Sequence, residues 1–208
     1  MMIKDLGPGV ERIWDGLRPM TKNMLVGALS PNSSASANNP PQKFSYDTHA
    51  DLELSRVLSA LDEQSRTQES KKDITKLGEI DRLAEMCAHV LESQSGSAEV
   101  FIQLATRALD RNDYSKLDKL SDKLSEQYSA GEIAEIVRQA ELPQIRAIAY
   151  ETLAMLPVQY LAALIEDPLY SEIATIALEQ KAYEFDSEDA RDVLDQFDGE
   201  MIDREFEN

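Results

Sequence analysis

Glu141-Leu142-Pro143-Gln144-Ile145-Arg146-Ala147-Ile148-Ala149-Tyr150-Glu151-Thr152-Leu153 is echoed 25 residues later by Glu166-Asp167-Pro168-Leu169-Tyr170-Ser171-Glu172-Ile173-Ala174-Thr175-Ile176-Ala177-Leu178. The matched positions are the Glu-x-Pro opening, Ile148-Ala149 against Ile173-Ala174, and Leu153 against Leu178. Proline is tolerated in the first turn of a helix, where its missing N–H would have no partner anyway. A fixed period of this size marks stacked supersecondary units rather than a closed enzyme fold. The reading is therefore an all-α chain, a short irregular stack of antiparallel helical hairpins.

Composition agrees. The 208 residues are 42% hydrophobic, with only 8 glycines and 8 prolines. Straight-chain residues dominate, and these lose little rotamer freedom in a helix. No extended Val/Ile/Thr alternation and no Asn-Gly hairpin is present. From Phe44 the pattern predicts helices over about 48–68, 73–93, 97–110, 113–128, 131–140, 143–155, 158–165, 170–184 and 187–197. Capping chemistry is expected at Ser97, Asp113 and Ser187. The connections of two to four residues are those of αα-hairpins. Four segments follow: an amphipathic N-terminal segment over 1–29, a flexible linker over 30–43, a helical-repeat-like domain over 44–198, and an acidic tail over 199–208. The linker is small, polar and broken by Pro31, Pro40 and Pro41, too poor in apolar surface to offset chain entropy.

Arg146-Ala147-Ile148-Ala149 with Leu153, after Glu141-Leu142-Pro143, resembles the second half of a HEAT-like repeat, as does Asp167-Pro168 with Ile173-Ala174 and Leu178. The second copy has Ser171 where the arginine would fall. Leu104-Ala105, Ala108-Leu109 and Asp113-Tyr114, followed by Leu117 and Leu120, resemble a tetratricopeptide-type hairpin. These resemblances cover about 98–184. They imply an α-solenoid used as a binding scaffold, with no chemistry attached.

The net charge is −18, and it is uneven. Residues 124–208 hold 20 acidic and 5 basic side chains, a net of −15, whereas residues 1–43 are slightly basic. Such a body repels phosphate backbones and anionic bilayers, so neither direct nucleic-acid binding nor membrane docking is expected. A protein partner with a basic or apolar surface fits, and a homo-oligomer stays open. The one cysteine, Cys87, forms no intrachain disulfide. With no secretory pattern in the first 30 residues and no long apolar run, the expected location is cytoplasmic.

Catalytic and cofactor motifs are missing. No Walker loop, Gly-x-Gly-x-x-Gly or Gly-x-Ser-x-Gly occurs. Asp81, Glu85 and His89 align on one helical face, but Ile80, Leu83, Ala84, Cys87 and Leu91 form the opposite, core-facing stripe. His89 is therefore read as solvated and Cys87 as a small core hydrophobe. No metal site, cofactor or enzymatic activity is expected.

The strongest functional candidates lie near the N-terminus. Ile13, Leu17, Met20 and Met24 share one helical side, with Trp14 and Leu25 flanking; Gly16 and Pro19 interrupt the run, and Pro19 suits the first turn of a new helix. These six residues are the expected partner-binding anchors, since exposed Trp and Met are typical of such positions. On its tether the segment could dock in cis or in trans. The expected function is a non-enzymatic adaptor or scaffold. The alternative is an acidic inhibitor that imitates nucleic acid and occupies the basic cleft of a DNA- or RNA-handling protein.

Overall fold

The structure, a computed structural model, describes residues 3–29, 46–67 and 72–206. The linker expected over 30–43 lies outside the described residues. Every regular element among the described residues is helical, as the composition and the echo require. The chain divides into two compact units, Met1–Ser95 and Gly96–Asn208. The helices expected to form one body from Phe44 are therefore shared between two.

The first unit opens with a 3-10 turn, Ile3–Leu6, followed by α1 (Pro8–Gly16), α2 (Pro19–Leu29), α3 (Thr48–Ser65) and α4 (Ile74–Gln94). Asp47 starts α3 by accepting the Ala50 N–H at 2.8 Å, and Asp73 starts α4 by accepting that of Lys76 at 3.0 Å. Each satisfies a backbone donor that the first turn leaves unpaired. α3 packs against α4. Leu54, Val57, Leu58 and Leu61 are buried on α3; Ile80, Leu83, Ala84, Cys87 and Leu91 are buried on α4. The stripe read from the sequence is thus the core stripe, and His89 lies on the exposed side.

The second unit holds α5 (Ala98–Asp110), α6 (Tyr114–Gln127), α7 (Ala130–Gln139), α8 (Pro143–Met155), α9 (Val158–Ile165), α10 (Ser171–Glu184) and α11 (Glu188–Phe206). α11 continues through most of the segment expected as a tail. The packing has a simple grammar. α5, α7, α9 and α11 each touch the next in that row; α6 touches α8, and α8 touches α10. Sequential helices pack across the two rows, α7 on α8 and α9 on α10 among them. Alternate helices thus form two layers.

The stack is irregular. The chain bends by 114° between α8 and α9. Leu156, the residue before Pro157, is extended at φ −64°, ψ 154°, as the proline ring demands of its predecessor. Between α5 and α6, Asn112 takes a left-handed φ of 55°. There the Asp113 N–H reaches Ala108 O at 2.9 Å and the Asn112 N–H reaches Leu109 O at 3.0 Å, closing the helix as a Schellman turn.

The echo has a structural meaning. Ala149, Leu153, Ala174 and Leu178 are all fully buried, the first pair on α8 and the second on α10, and the two helices pack together. Their directions agree. Tyr150 of α8 senses Glu172 near the start of α10, and Lys181 near the end of α10 donates to Ala154 O near the end of α8 at 2.9 Å. α8 and α10 therefore run parallel. The openings differ: Pro143 begins α8, whereas Pro168 sits in the turn before Ser171.

Candidate interaction surfaces

Pro19 divides the N-terminal segment. With no N–H to donate and a ring that blocks the preceding carbonyl, it cannot extend α1. α1 stops at Gly16 and α2 restarts at Pro19. The restart resets the helical phase. The buried positions become Val10, Leu17, Thr21 and Leu25 rather than the continuous stripe Ile13, Leu17, Met20, Met24 expected of one helix. Ile13, Trp14 and Met24 are half-buried, and Met20 is 49% exposed. The segment docks in cis: α1 packs on α3, and α2 on α3 and α4.

The docking is held by a polar cluster. The Glu53 carboxylate of α3 accepts the Arg18 backbone N–H at 2.9 Å and Arg18 Nε at 3.0 Å. It also accepts the hydroxyl of Thr21, which is itself fully buried. Arg18 then reaches Asp47 through both terminal nitrogens, at 2.9 and 2.8 Å. The Glu53 carboxylate thus sits at the N-terminus of α2, where the helix end favours an anion. Burial, the largest single influence on Glu53, pushes its pKa upward; the hydrogen bonds from Thr21 and Arg18 together outweigh it and hold the carboxyl below its ordinary value. Asp47 is lowered more strongly, first by Arg18 and then by the Ala50 N–H.

The second unit has ties of the same kind. Glu135 of α7 accepts Arg138 Nε at 2.7 Å, the Tyr170 hydroxyl at 3.0 Å, and Gln139. Arg138 is the main cause that lowers Glu135 to about 2; burial opposes it and the other two donors assist. This fixes the turn before α10 onto α7. At the α10–α11 turn, Arg191 donates to Ala182 O at 2.9 Å and to Asp186. At the start of α5, Ser97 stands at the capping position as expected, but its hydroxyl bonds Glu99 at 2.8 Å. The Ala98 N–H is satisfied instead by Glu132 of α7 at 2.8 Å. Asp113 and Ser187 cap α6 and α11 as the sequence suggested.

Exposed apolar side chains mark a different place from the one expected. Six of the eleven exposed large hydrophobic residues among those described are Met155, Tyr160, Leu169, Ile176, Tyr183 and Phe185. They fall in one stretch of the second unit, with Tyr183 at 77% exposure and Met155 at 61%. Sequence reasoning passed over them because α10 carries apolar residues on several sides, leaving no single stripe. Alanine fills much of its buried face, at Ala174, Ala177 and Ala182, while Ile176 and Tyr183 lie outside that face.

Among the described residues no three His, Cys, Asp or Glu side chains are grouped so as to hold a metal ion. No single helix among them is long and apolar enough to cross a membrane. Comparison with protein-family models, curated proteins and solved structures gives no match.

Proposed function

We propose that this chain is a cytoplasmic, non-enzymatic protein-interaction module of helical-repeat type, similar to HEAT-like scaffolds, and that its second unit carries the binding surface. The observation that supports this most is that six of the second unit's seven exposed large hydrophobic side chains among the described residues fall within residues 155–185. Exposed apolar groups gathered within a polar rim are characteristic of protein-binding surfaces. The residues first expected as anchors contribute less, since Leu17 and Leu25 are buried inside their own unit. The test is affinity capture from native extract with the wild-type chain, with Met155→Ser/Tyr183→Ser/Phe185→Ser, and with Met20→Ser. Capture should fail for the triple variant alone, while its helical circular dichroism stays intact. Equal capture by all three chains rejects the reading.

A second reading, an acidic inhibitor imitating nucleic acid, draws support from the −15 over residues 124–208. It requires a nucleic-acid-handling partner whose binding collapses with salt and competes with DNA or RNA. Capture that persists at high salt removes it.

A further inference from the structure

We infer that the outward face of the parallel α8–α10 pair binds a basic amphipathic segment of a partner protein, an inference that rests on the interaction-module reading. On α10 the residues Glu172, Ile176, Glu179 and Tyr183 are spaced by four, three and four, which puts them on one helical stripe. All four are exposed. On α8 the exposed residues Ala147, Glu151 and Met155 form the matching stripe. The 25-residue offset sets Ala147 beside Glu172 and Glu151 beside Ile176. Acidic and apolar side chains therefore alternate both along each helix and across the pair. Half-buried Tyr150 stands near Glu172; its burial first, and then Glu172, raise its pKa.

None of Glu151, Glu172 and Glu179 makes a salt bridge among the described residues. The nearby cations are engaged elsewhere: Lys181 donates to Ala154 O and Arg191 to Asp186 and Ala182 O. Arg146 stands at the α8 end of the face, close enough to act on Tyr150. The face offers apolar contact at about one-turn spacing with free negative charge between. A helix carrying leucine-like residues on one side, interleaved with lysine or arginine, is complementary to it. A second copy of this chain is not, since it would set the same carboxylates against one another, and a phosphate-bearing ligand is repelled outright.

The experiment uses the full chain and a fluorescent synthetic helix of leucine and lysine as the probe, read by anisotropy. Three variants are compared: Glu172→Lys/Glu179→Lys on the face, Asp192→Lys/Asp195→Lys on α11 as an equal change in charge, and Ile176→Ser/Tyr183→Ser. Circular dichroism checks that each stays folded. The expected result is about tenfold weaker binding for the first and third variants, little change for the second, and weak binding of an all-lysine peptide. Equal weakening by the two charge reversals, or equal binding of the all-lysine peptide, overturns the inference in favour of unspecific attraction. If the serine variant alone weakens binding, the surface is apolar without preference for a basic partner; that overturns the inference and leaves the interaction-module reading standing. Self-association lost in the serine variant, seen by sedimentation, overturns it in favour of a second copy.

Discussion

Arg18 holds Glu53 twice, through its backbone N–H at 2.9 Å and its side-chain Nε at 3.0 Å. One carboxylate thereby receives both the backbone N–H and the side chain of the residue just before α2. The two positions are 35 residues apart, so the contact ties the N-terminal helices to α3. Replacing Glu53 by Ala removes the acceptor for the buried Thr21 hydroxyl as well as for Arg18. We expect Glu53→Ala to destabilise the first unit by about 2 kcal/mol, the range for hydrogen bonds to a charged group. Arg18→Ala should cost less, because Thr21 and the backbone N–H remain. Urea unfolding of the two variants gives the comparison; equal midpoints for Glu53→Ala and wild type would show the cluster to be incidental.

Removal of residues 1–43 follows from the same arrangement. The deletion takes Leu17 and Leu25 out of the core and bares the faces of α3 and α4 that α1 and α2 cover. Each leucine lost from a core forfeits ~1.5–3 kcal/mol of burial. The truncated chain should melt at lower temperature and bind a hydrophobic dye. An unchanged melt would mean that the N-terminal helices do not dock in cis.

Glu135 provides a pH test with a definite sign. Its folded pKa of about 2 lies below the ordinary value of about 4.3 for an unfolded glutamate. A depressed carboxylate contributes stability that is fully present above the unfolded pKa and is lost as pH falls through the folded one. The stability difference between wild type and Glu135→Gln should therefore be constant above about pH 5 and shrink toward pH 2. Melting both proteins across that window isolates the effect from general charge repulsion, which they share. A difference that does not vary with pH would mean that Glu135 acts by packing alone.

Glycine positions separate backbone strain from helix propensity. Gly7 has a φ of +157°, and a Cβ there would lie 2.2 Å from Oε1 of the buried Gln64. Gly78 lies inside α4 with nothing within 4 Å of an added Cβ. Gly7→Ala should lose about 1 kcal/mol or more. Gly78→Ala should gain about 0.5–1 kcal/mol through helix propensity. Thermal melts of the pair should move in opposite directions, and a stabilising Gly7→Ala would contradict the placement of the first turn.

Much of the fold is legible locally. Helix period, prolines and cap residues act within a turn or two, so Asp113, Ser187, Pro143 and the buried stripe of α4 are all readable. The Arg18–Glu53 contact is not, because nothing within a helical turn of either residue marks a partner 35 positions away. The continuous N-terminal stripe is not what forms, for a local reason with a distant effect: Pro19 resets the helical phase, moving burial from Met20 and Met24 to Thr21 and Leu25. The exposed surface over 155–185 was hidden because exposure depends on which neighbours a helix has. The neighbours of α8 and α10 are set by the packing of the whole unit, which no local pattern carries.

Two alanines give the sharpest test of the 25-residue echo. Ala149 and Ala174 occupy equivalent positions on α8 and α10, and both are fully buried on helices that pack together. Close approach needs a small side chain, and a larger one forces off-rotamer packing or backbone shifts. Ala149→Leu and Ala174→Leu should each cost ~1–3 kcal/mol as overpacking. Ala147, two residues from Ala149, points outward, so Ala147→Leu should stay within about 0.5 kcal/mol of wild type. Chemical denaturation of the three single variants and of the Ala149→Leu/Ala174→Leu double then decides. If the helices separate to admit the first leucine, the second costs less, and the double falls short of the sum. Harmless leucines at both buried positions would leave the echo as a coincidence of sequence, without a role in holding α8 to α10.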